Sequence, residues 1–223
     1  MRKPKKILVL DVGGTHVKIH LNTQRAACEF DSGPKLTPHK MVAKVCALTA
    51  GWRYDALSIG YPGVVLHGKP VVEPHNLGRG WVGFAFDKAF RKPVRIVNDA
   101  ALQAIGSYKG GRMLFLGLGT GLGCALIIDG VVEPTELAHL PYKRGRTYEE
   151  YVGERGRKRL GNKKWRGIVA DVVARLSTAL EVDETVIGGG NARRLTRLPR
   201  KARRVTNSTA FVGGVRLWQA PRR

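Results

Sequence analysis

A short segment near the start of the chain combines a carboxylate with groups that can bind a phosphate. It reads Asp11-Val12-Gly13-Gly14-Thr15-His16-Val17-Lys18 and lies between two strand-like runs. In such a turn the backbone N–H groups and a hydroxyl can face a phosphate, while the carboxylate can hold Mg²⁺ through water. Taken alone, the segment also fits an ordinary hairpin turn. The candidate donor-binding residues here are Asp11, Gly13, Gly14, Thr15 and Lys18, with Asp11 as the magnesium ligand through water.

A second glycine-rich segment, Gly117-Leu118-Gly119-Thr120-Gly121-Leu122-Gly123, also lies between two strand-like runs. It is not a dinucleotide-binding fingerprint, because a strand follows it where that motif needs a helix, and it lacks the Lys-Ser/Thr ending of a Walker A loop. Two such hairpins, each opening one half of the chain, indicate a phosphate clamp more strongly than either does alone. We therefore add Gly119, Thr120 and Gly121 to the donor-binding candidates.

Asn98 and Asp99 lie where a buried strand is expected to end and a helix to begin. A carboxylate at such a position can accept the proton of an attacking hydroxyl, which is the role of the base in phosphoryl transfer. The structural alternative is that Asp99 caps the helix. The two glycine hairpins favour the catalytic interpretation.

Hydrophobic periodicity predicts the elements that position these residues. Strands are expected at 6–12, 17–21, 26–30, 55–60, 94–97, 113–118, 124–129 and 185–187. Helices are expected from Pro38, capped by Thr37, to Gly51, and at 100–108, 148–160 and 164–180. Gly110-Gly111 is the predicted boundary between an N-terminal lobe, 1–110, and a C-terminal lobe, 111–223.

The chain is strongly basic. Its 223 residues include 39 Lys and Arg against 17 Asp and Glu, which gives a formal net charge of +22. Such a charge raises the local concentration of polyanions, so nucleic acid, anionic membranes and phosphate-rich small molecules are candidates. A solvated basic surface is the alternative. The basic residues are densest in two runs, 155–166 and 193–204.

The cysteines and the apolar segments bear on the compartment. Cys28, Cys46 and Cys124 are far apart and form no CxxC pair, which fits a reducing compartment. No apolar stretch is long enough for a membrane span, and Asp11 interrupts the apolar run that follows the basic start, which makes that start a poor signal peptide. We therefore expect a cytoplasmic protein without a membrane partner.

The chain carries several further motifs in a fixed order. They are DVGGTHVK, SIGYPGVV, NLGRGW, VNDA, GLGTGLG, ELAHLPY, TYEEYVGERG and IGGGN. In these motifs and their spacing, over almost its whole length, the chain resembles the ROK family of sugar kinases (repressor, open reading frame, kinase), within the actin-like ATPase group, and especially its polyphosphate glucokinase branch. The resemblance implies an α/β, two-lobed actin-like ATPase (ribonuclease-H-like) fold, each lobe a mixed sheet with flanking helices, and a cleft in which a sugar meets a phosphoryl donor.

The resemblance also implies roles for individual residues. Glu136 and His139 match the family's E-x-G-H motif, whose acid and imidazole hold sugar hydroxyls. Glu149 matches a further acid of the sugar pocket, with Glu150 as the alternative. The remaining sugar-binding candidates are Gly63, Asn98 and Asp99. The turn Gly188-Gly189-Gly190-Asn191, expected between a strand and a helix, corresponds to the place where a nucleotide approaches the backbone.

The chain departs from the family pattern in two places. Ala138 replaces the glycine of E-x-G-H, which puts the backbone beside His139 in question. Many family members carry a Cys-rich zinc loop after this histidine, whereas residues 140–147 contain no cysteine. Without thiolates a four-coordinate zinc site cannot form locally, so we predict no zinc site.

These observations predict a sugar kinase. We expect it to transfer a phosphoryl group with Mg²⁺ from polyphosphate, ATP or both to a hexose, with the 6-hydroxyl of glucose as the acceptor and Asp99 as the general base. The short tail after the turn at 188–190 and the basic runs favour polyphosphate.

Three alternatives remain: an ATP-only kinase for another hexose or an N-acetylhexosamine, a sugar-responsive regulator, and a polyanion-binding module. A regulator is disfavoured because the first strand begins too close to Met1 for a preceding helix-turn-helix. A silent module is disfavoured because Asp99 is intact. We expect no specific nucleic-acid partner, and the resemblance favours a homodimer.

Overall fold

The computed structural model describes residues 5–133 and 135–219; the first four residues of the basic start lie outside these ranges. The strands are β1 (Ile7–Val12), β2 (His16–Leu21), β3 (Cys28–Asp31), β4 (Ala56–Tyr61), β5 (Val65–Leu66), β6 (Lys69–Pro70), β7 (Val94–Asn98), β8 (Arg112–Leu118), β9 (Leu122–Ile128), β10 (Val131–Glu133), β11 (Pro141–Lys143), β12 (Arg146–Thr147), β13 (Glu184–Gly188) and β14 (Ala202–Arg204). The helices are α1 (Pro38–Leu48), α2 (Phe86–Phe90), α3 (Asp99–Ser107), α4 (Tyr148–Val152), α5 (Glu154–Ala179) and α6 (Thr209–Arg216). Single 3₁₀ turns cover Leu137–His139 and Ala192–Arg194. In the described ranges, no helix combines the length and the apolar character that crossing a membrane requires.

The chain folds into two compact units. The first contains the residues up to Leu102 together with the last helix from Ala210, and the second contains Gln103–Thr209. The predicted lobes, 1–110 and 111–223, differ from this division in two respects. The division falls within α3, and α6 belongs to the first unit because it packs on the first sheet.

The first unit is built on a five-stranded mixed sheet of order β3-β2-β1-β4-β7. Strands β1, β4 and β7 are parallel, and their register pairs Asp11 with Gly60 and Gly60 with Val97. Because parallel strands end at the same edge, the first glycine turn, which follows β1, and the start of α3, which follows β7, lie at one edge on either side of the end of β4. In open α/β sheets this edge is where ligands bind.

Helix α1 covers one face of the first sheet and begins where the sequence predicts. Thr37 accepts a hydrogen bond from the Lys40 amide, and Pro38 lies in the first turn. Met41 and Val45 are buried in the apolar cluster that also contains alternate residues of β1 and β4. The helix ends at Leu48, before the predicted end at Gly51.

Helix α6 packs against the opposite face of the same sheet. A Cβ atom at Gly214 would lie 2.4 Å from Val9 Cγ1, so only glycine allows this approach. Ser58 Oγ donates to the Gly214 carbonyl at 2.6 Å, and Trp218 Nε1 donates to Ser58 Oγ at 3.0 Å. The sequence did not predict this helix, because its two adjacent glycines lower helix propensity.

The second unit contains a mixed sheet of order β10-β9-β8-β13-β14. Strand β13 runs parallel to β8 and β14, and pairs Gly188 with Gly117 and Ile187 with Arg204. The second glycine turn, the turn after β13 and Arg204 therefore share one edge. Two mixed sheets with flanking helices confirm the predicted α/β class.

Two helices of the second unit differ from their predicted bounds. The predicted helix at 148–160 is divided at Gly153, between α4 and α5. The break predicted between the helices at 148–160 and 164–180 is a kink within α5 at Gly161, where φ is 72° and ψ is 157°. Helix α5 buries Trp165, whose indole N–H donates to the Val152 carbonyl at 2.8 Å and so ties the two helices together.

The hairpin of β11 and β12 is anchored to α5. The Tyr142 hydroxyl donates to the Asp171 carboxylate, which also accepts from Arg175 Nε at 3.1 Å. The hydrogen bond from Tyr142 is the main reason why the pKa of Asp171 lies below its ordinary value. The ring of Tyr142 lies 5.1 Å from the rings of both Tyr148 and Tyr151. This anchor holds the segment 136–149, which contains the predicted sugar-binding residues Glu136, His139 and Glu149.

We expect Tyr142→Phe to lower the free energy of unfolding by about 1–2 kcal/mol, because it removes a hydrogen bond to a charged acceptor. Asp171→Asn should lower the free energy of unfolding by less, since the amide oxygen of asparagine can still accept the hydrogen bond from Tyr142. In urea unfolding, the double variant should lose less than the sum of the single losses, because the two side chains interact. Additive losses would show that the two residues stabilise the hairpin independently.

Candidate functional site

Asp11 lies at the carboxyl end of β1, directly before the first glycine turn. Burial raises the pKa of its carboxyl group to about 6, and the positive charge of Lys18, its partner across the β1–β2 ladder, opposes that shift. The Gly13 amide closes the turn by donating to the His16 carbonyl at 2.9 Å. The structure thus brings Asp11, Lys18 and the turn together.

Ser32 holds the first glycine turn from its carbonyl side. Its hydroxyl donates to the Gly13 carbonyl at 2.6 Å, and its amide donates to the Thr15 carbonyl at 2.9 Å. A Cβ atom at Gly14 would lie 3.2 Å from Asn76 Cβ. Thr15 is exposed, as a side chain that meets a ligand has to be. The sequence did not point to Ser32 or Asn76, because both lie outside the glycine motif.

Asp99 is the first residue of α3, and the cap of this helix comes from its neighbour. Asn98 Oδ1 accepts from the Ala100 amide at 2.9 Å and from the Ala101 amide at 3.3 Å, which is the arrangement of an N-cap. The Ala100 amide also lies 2.8 Å from Asp99 Oδ1. A Cβ atom at Gly60 would lie 2.8 Å from Leu102 Cδ2, so glycine lets the first turn of α3 pack against the end of β4.

The loop that contains Gly63 is held by two polar side chains. Asn98 Nδ2 donates to the Gly63 carbonyl at 3.0 Å. The Glu73 carboxylate accepts hydrogen bonds of 3.1 to 3.2 Å from three successive backbone amides, which belong to Gly80, Trp81 and Val82. Gly63 and Asn98 are therefore in contact, as two residues of one binding site need to be. Sequence reasoning did not identify Glu73, since a single acid in a loop is usually solvated.

The second glycine turn is also held from its carbonyl side. The Glu154 amide donates to the carbonyls of Gly119 and Thr120, both at 3.1 Å, and the Asn191 amide donates to the Leu118 carbonyl at 2.9 Å. Asn191 Nδ2 donates to the Gly119 carbonyl at 3.2 Å and to Glu154 Oε2 at 2.9 Å. Hydrogen bonds from Arg157 and Asn191 lower the pKa of Glu154 to about 2. Glu154 and Asn191 thus fix the turn between them.

The turn after β13 packs directly on the second glycine turn. Gly189 has a φ of 82°, and a Cβ atom there would lie 2.4 Å from the Leu118 carbonyl oxygen, so no other residue fits. The expectation of a full helix after Asn191 is wrong. The chain makes only the 3₁₀ turn Ala192–Arg194 and then enters the loop to β14. Pro199, which cannot donate a helical hydrogen bond, lies in that loop.

Glu149 and Glu150 have different roles. Glu149 Oε2 accepts from the Leu122 amide at 3.0 Å, and a Cβ atom at Gly121 would lie 2.1 Å from the same oxygen. Glu150 forms a capping box at the start of α4: its Oε2 accepts from the Thr147 amide at 2.8 Å. Because the cap occupies Glu150, the geometry favours Glu149 as the ligand-binding acid.

Glu136 and His139 are paired at the surface of the second unit. Glu136 Oε2 lies 3.7 Å from His139 Nε2. Burial raises the pKa of the Cys124 thiol to about 12, and the nearby carboxylates of Glu136 and Glu149 add to this shift, so both acids lie near one buried thiol. Ala138 is buried and is not among the residues with a positive φ, so its side chain fits where the family motif has glycine.

The first glycine turn offers a ligand set suited to magnesium. Mg²⁺ keeps several waters and usually binds one or two carboxylates together with substrate phosphates. A single buried carboxylate, Asp11, beside a turn of phosphate-binding type fits that pattern. Across residues 5–133 and 135–219, no group of three or more His, Cys, Asp or Glu side chains is placed to hold a metal ion. The absence of a zinc site remains a prediction.

No protein-family model matches the chain. One similar protein is the polyphosphate glucokinase of Mycobacterium tuberculosis (strain CDC 1551 / Oshkosh), which is 30% identical over 210 residues, and the match covers 83% of this chain and 77% of that protein.

Two solved structures have a similar fold. The inorganic polyphosphate/ATP-glucomannokinase from Arthrobacter sp. strain KM has a TM-score of 0.79 and 22% identity, and the match covers 96% of this chain and 98% of that one. The ROK family glucokinase from Streptomyces griseus, solved with glucose and AMPPNP, has a TM-score of 0.75 and 16% identity, and the match covers 96% of this chain and 99% of that one.

Asp11→Asn should stabilise the protein in magnesium-free buffer at pH 7. The folded-state pKa of about 6 lies above the ordinary value of 3.8, so the ionised carboxylate opposes folding, and this cost grows as the pH rises from 4 to 6 and is complete above 6. Removing the charge should raise the free energy of unfolding at pH 7 by about 1–3 kcal/mol. At pH 4, denaturant unfolding should show a much smaller difference. Equal differences at both pH values would contradict the assigned ionisation.

Proposed function

Because the chain belongs to the polyphosphate glucokinase branch of the ROK family of sugar kinases, we propose that it transfers a phosphoryl group to the 6-hydroxyl of glucose. It is a phosphotransferase that uses polyphosphate, ATP or both. Its two mixed sheets with flanking helices have the actin-like ATPase fold of the ROK kinases, which confirms the predicted fold class. The carrying observation is that Asp99 begins α3 at the carboxyl edge of the first sheet, the edge at which Asp11 and the first glycine turn also lie.

In this proposal Asp99 is the general base. The acceptor hydroxyl oxygen attacks the terminal phosphorus of the donor, the carboxylate accepts the hydroxyl proton, and the bond from phosphorus to the leaving phosphate breaks. The leaving group is ADP or a polyphosphate shortened by one unit.

The acceptor sugar is held by carboxylates and an imidazole. Glu136, His139 and Glu149 are assigned to the sugar hydroxyls, and Asn98 and Gly63 complete the set. Within the first unit Asn98 contacts Gly63, and within the second unit Glu136 and Glu149 both lie near Cys124, which supports each half of this assignment. A carboxylate that accepts hydrogen bonds from two hydroxyls discriminates against stereoisomers, because a wrong isomer leaves a polar group unpaired.

The donor phosphates are assigned to the two glycine turns and to the turn at 188–191. In both glycine turns the carbonyl groups already accept hydrogen bonds from neighbouring residues, so amides such as those of Thr120 and Gly121 are suited to a phosphate. Asp11 and Lys18 complete the donor set. Magnesium bound near Asp11 would compensate the negative charge of clustered phosphates.

The proposal is tested by purified protein with glucose, mannose and an N-acetylhexosamine, each with ATP and with polyphosphate. Glucose should be phosphorylated at its 6-position with at least one donor, and polyphosphate should serve at least as well as ATP. Turnover restricted to ATP and another sugar would favour the alternative kinase, and no turnover with any pair would contradict the proposal. Cytoplasmic location and a homodimer remain predictions.

We expect Asp99→Asn to reduce kcat by about 100-fold or more, because the amide cannot accept the hydroxyl proton. The KM for glucose should change little, since the amide keeps the shape of the carboxylate. Asp87→Asn is the matched control, because Asp87 also lies in the first turn of a helix of the first unit and has no assigned role. Steady-state kinetics decide the question, and near-normal turnover of Asp99→Asn would exclude Asp99 as the base.

Glu136→Gln, His139→Ala and Glu149→Gln should each raise the KM for glucose by about tenfold, because each removes a contact that positions the sugar. Glu150→Ala is the control for Glu149. It should leave KM unchanged but lower the free energy of unfolding by about 1 kcal/mol, because it breaks the capping box. If Glu150→Ala raised KM and Glu149→Gln did not, the two assignments would have to be exchanged.

A further inference from the structure

The two basic runs of the sequence meet beside the turn at 188–191. Arg166, from the run on α5, donates through Nε to the Arg194 carbonyl at 2.7 Å. Arg204 of β14 donates through Nη1 to the Leu195 carbonyl at 3.3 Å. Arg194 itself donates through Nε to Asn191 Oδ1 at 3.3 Å. Three arginines from three elements are thus held around the short segment 191–195, and we call them the arginine cluster.

The run at 193–204 does not form one continuous patch. The parallel register of β13 and β14 pairs Ile187 with Arg204, so Arg204 lies at the same edge as the second glycine turn. Lys201 precedes β14, and its carbonyl accepts from the Thr185 amide at the opposite end of the strands. The loop residue Arg200, next to Lys201, lines a separate surface pocket with it. Only part of the basic run 193–204 therefore lies near the second glycine turn and the turn at 188–191.

The positive charges of the arginine cluster are not balanced by neighbouring acids. Within the described part of the chain, none of Arg166, Arg194 and Arg204 forms a salt bridge with a carboxylate. The acid next to Asn191 is already paired, since Glu154 holds Arg157 at 2.6 Å. The cluster therefore presents unneutralised positive charge on guanidinium groups that backbone carbonyls and one amide hold in place.

The cluster continues directly from the second glycine turn. Asn191, which binds Arg194 through its side-chain oxygen, donates through the side-chain nitrogen of the same amide to the Gly119 carbonyl at 3.2 Å. One asparagine thus connects the turn assigned to the donor's reacting end with the first arginine of the cluster. A ligand with phosphates at the turn and further phosphates beyond it would meet these positive charges.

We propose that the arginine cluster binds the distal phosphates of a linear polyphosphate donor, those beyond the few units held by the glycine turns. This inference rests on the proposed kinase function and adds to it a site that distinguishes a long donor from a triphosphate. Guanidinium groups suit it, because they bind phosphate oxygens through two parallel N–H groups. Since they are fixed before the donor arrives, less conformational entropy is lost on binding.

The test uses the triple variant Arg166→Gln, Arg194→Gln and Arg204→Gln of the full chain. Glutamine removes the charge and retains an N–H donor for the backbone carbonyl. Long-chain polyphosphate, tripolyphosphate and ATP are compared by direct binding and as donors with saturating glucose. The variant should bind long-chain polyphosphate about tenfold more weakly or worse, with ATP and tripolyphosphate changed less than twofold. The slope of log affinity against log salt should become shallower by about two, since each phosphate contact of a single strand contributes about 0.7.

Two control variants separate this cluster from general charge and stability effects. Arg112→Gln removes a guanidinium that is also held by backbone carbonyls, those of Leu180 and Glu181, but at the opposite end of β8. Arg200→Gln removes a charge from the same sequence run at the other end of β14. Both should bind long-chain polyphosphate within twofold of the unmodified protein. The triple variant with lysine at the same positions should recover part of the affinity.

The outcomes distinguish this inference from the proposed function. Unchanged polyphosphate affinity in the triple variant, an equal loss for all three donors, or an equal loss in the controls would each overturn the distal-phosphate assignment while leaving the kinase intact. Failure of the unmodified protein to bind polyphosphate would also overturn it. Failure to phosphorylate any sugar with either donor would instead contradict the proposed function, whatever the binding measurements show.

Discussion

The parallel pairing of β4 with β1 and β7 in one sheet, and of β13 with β8 in the other, determines that the glycine turns, Asp99 and the turn at 188–191 lie at the carboxyl edges of their sheets. Parallel strands end at one edge, and the chain must leave that edge through turns or helix starts whose amides and side chains are exposed there. Asp11, near the end of β1, and Asp99, directly after β7, lie at the same edge of the first sheet for this reason, with the end of β4 between them. In the second sheet the same rule joins the glycine turn to the turn at 188–191.

At these sheet edges, glycines allow other groups of the protein to approach the backbone closely, because glycine has no Cβ atom. At Gly121 the missing Cβ admits the Glu149 carboxylate, and at Gly189 it admits the Leu118 backbone. The space that a side chain would fill is taken by a polar group in both places, the carboxylate at Gly121 and the backbone carbonyl at Gly189. The high glycine content of the sequence is therefore partly a requirement of the site, since packed backbones exclude any larger residue.

Charge in this protein is divided between paired and unpaired groups. Glu154 and Glu184 each hold an arginine, and Asp171 holds Arg175, so part of the positive charge stabilises local structure. Exposed pairs of this kind contribute little stability individually. Arg166, Arg194 and Arg204 around the segment 191–195 are different, because backbone carbonyls and one amide hold them and none of the acids among residues 5–133 and 135–219 forms a salt bridge with them. A net charge of +22 is thus better described as a basic surface with one ordered cluster beside the donor turns than as a uniform coating.

The sequence by itself determined the long strands of the two sheets, the two glycine hairpins and the position of Asp99 after β7, because alternation of apolar residues and glycine turns are local signals. It also determined the family, through motifs whose order is visible without coordinates. Only the tertiary structure showed that Asn98 caps α3 and that Glu150 closes the capping box of α4, because a cap depends on which side chain reaches the free amides. It alone placed α6 on the first sheet, joined Arg166 to Arg194 and revealed Ser32 and Glu154 at the glycine turns. Those contacts link residues far apart in the chain, and packing rather than local pattern brings them together.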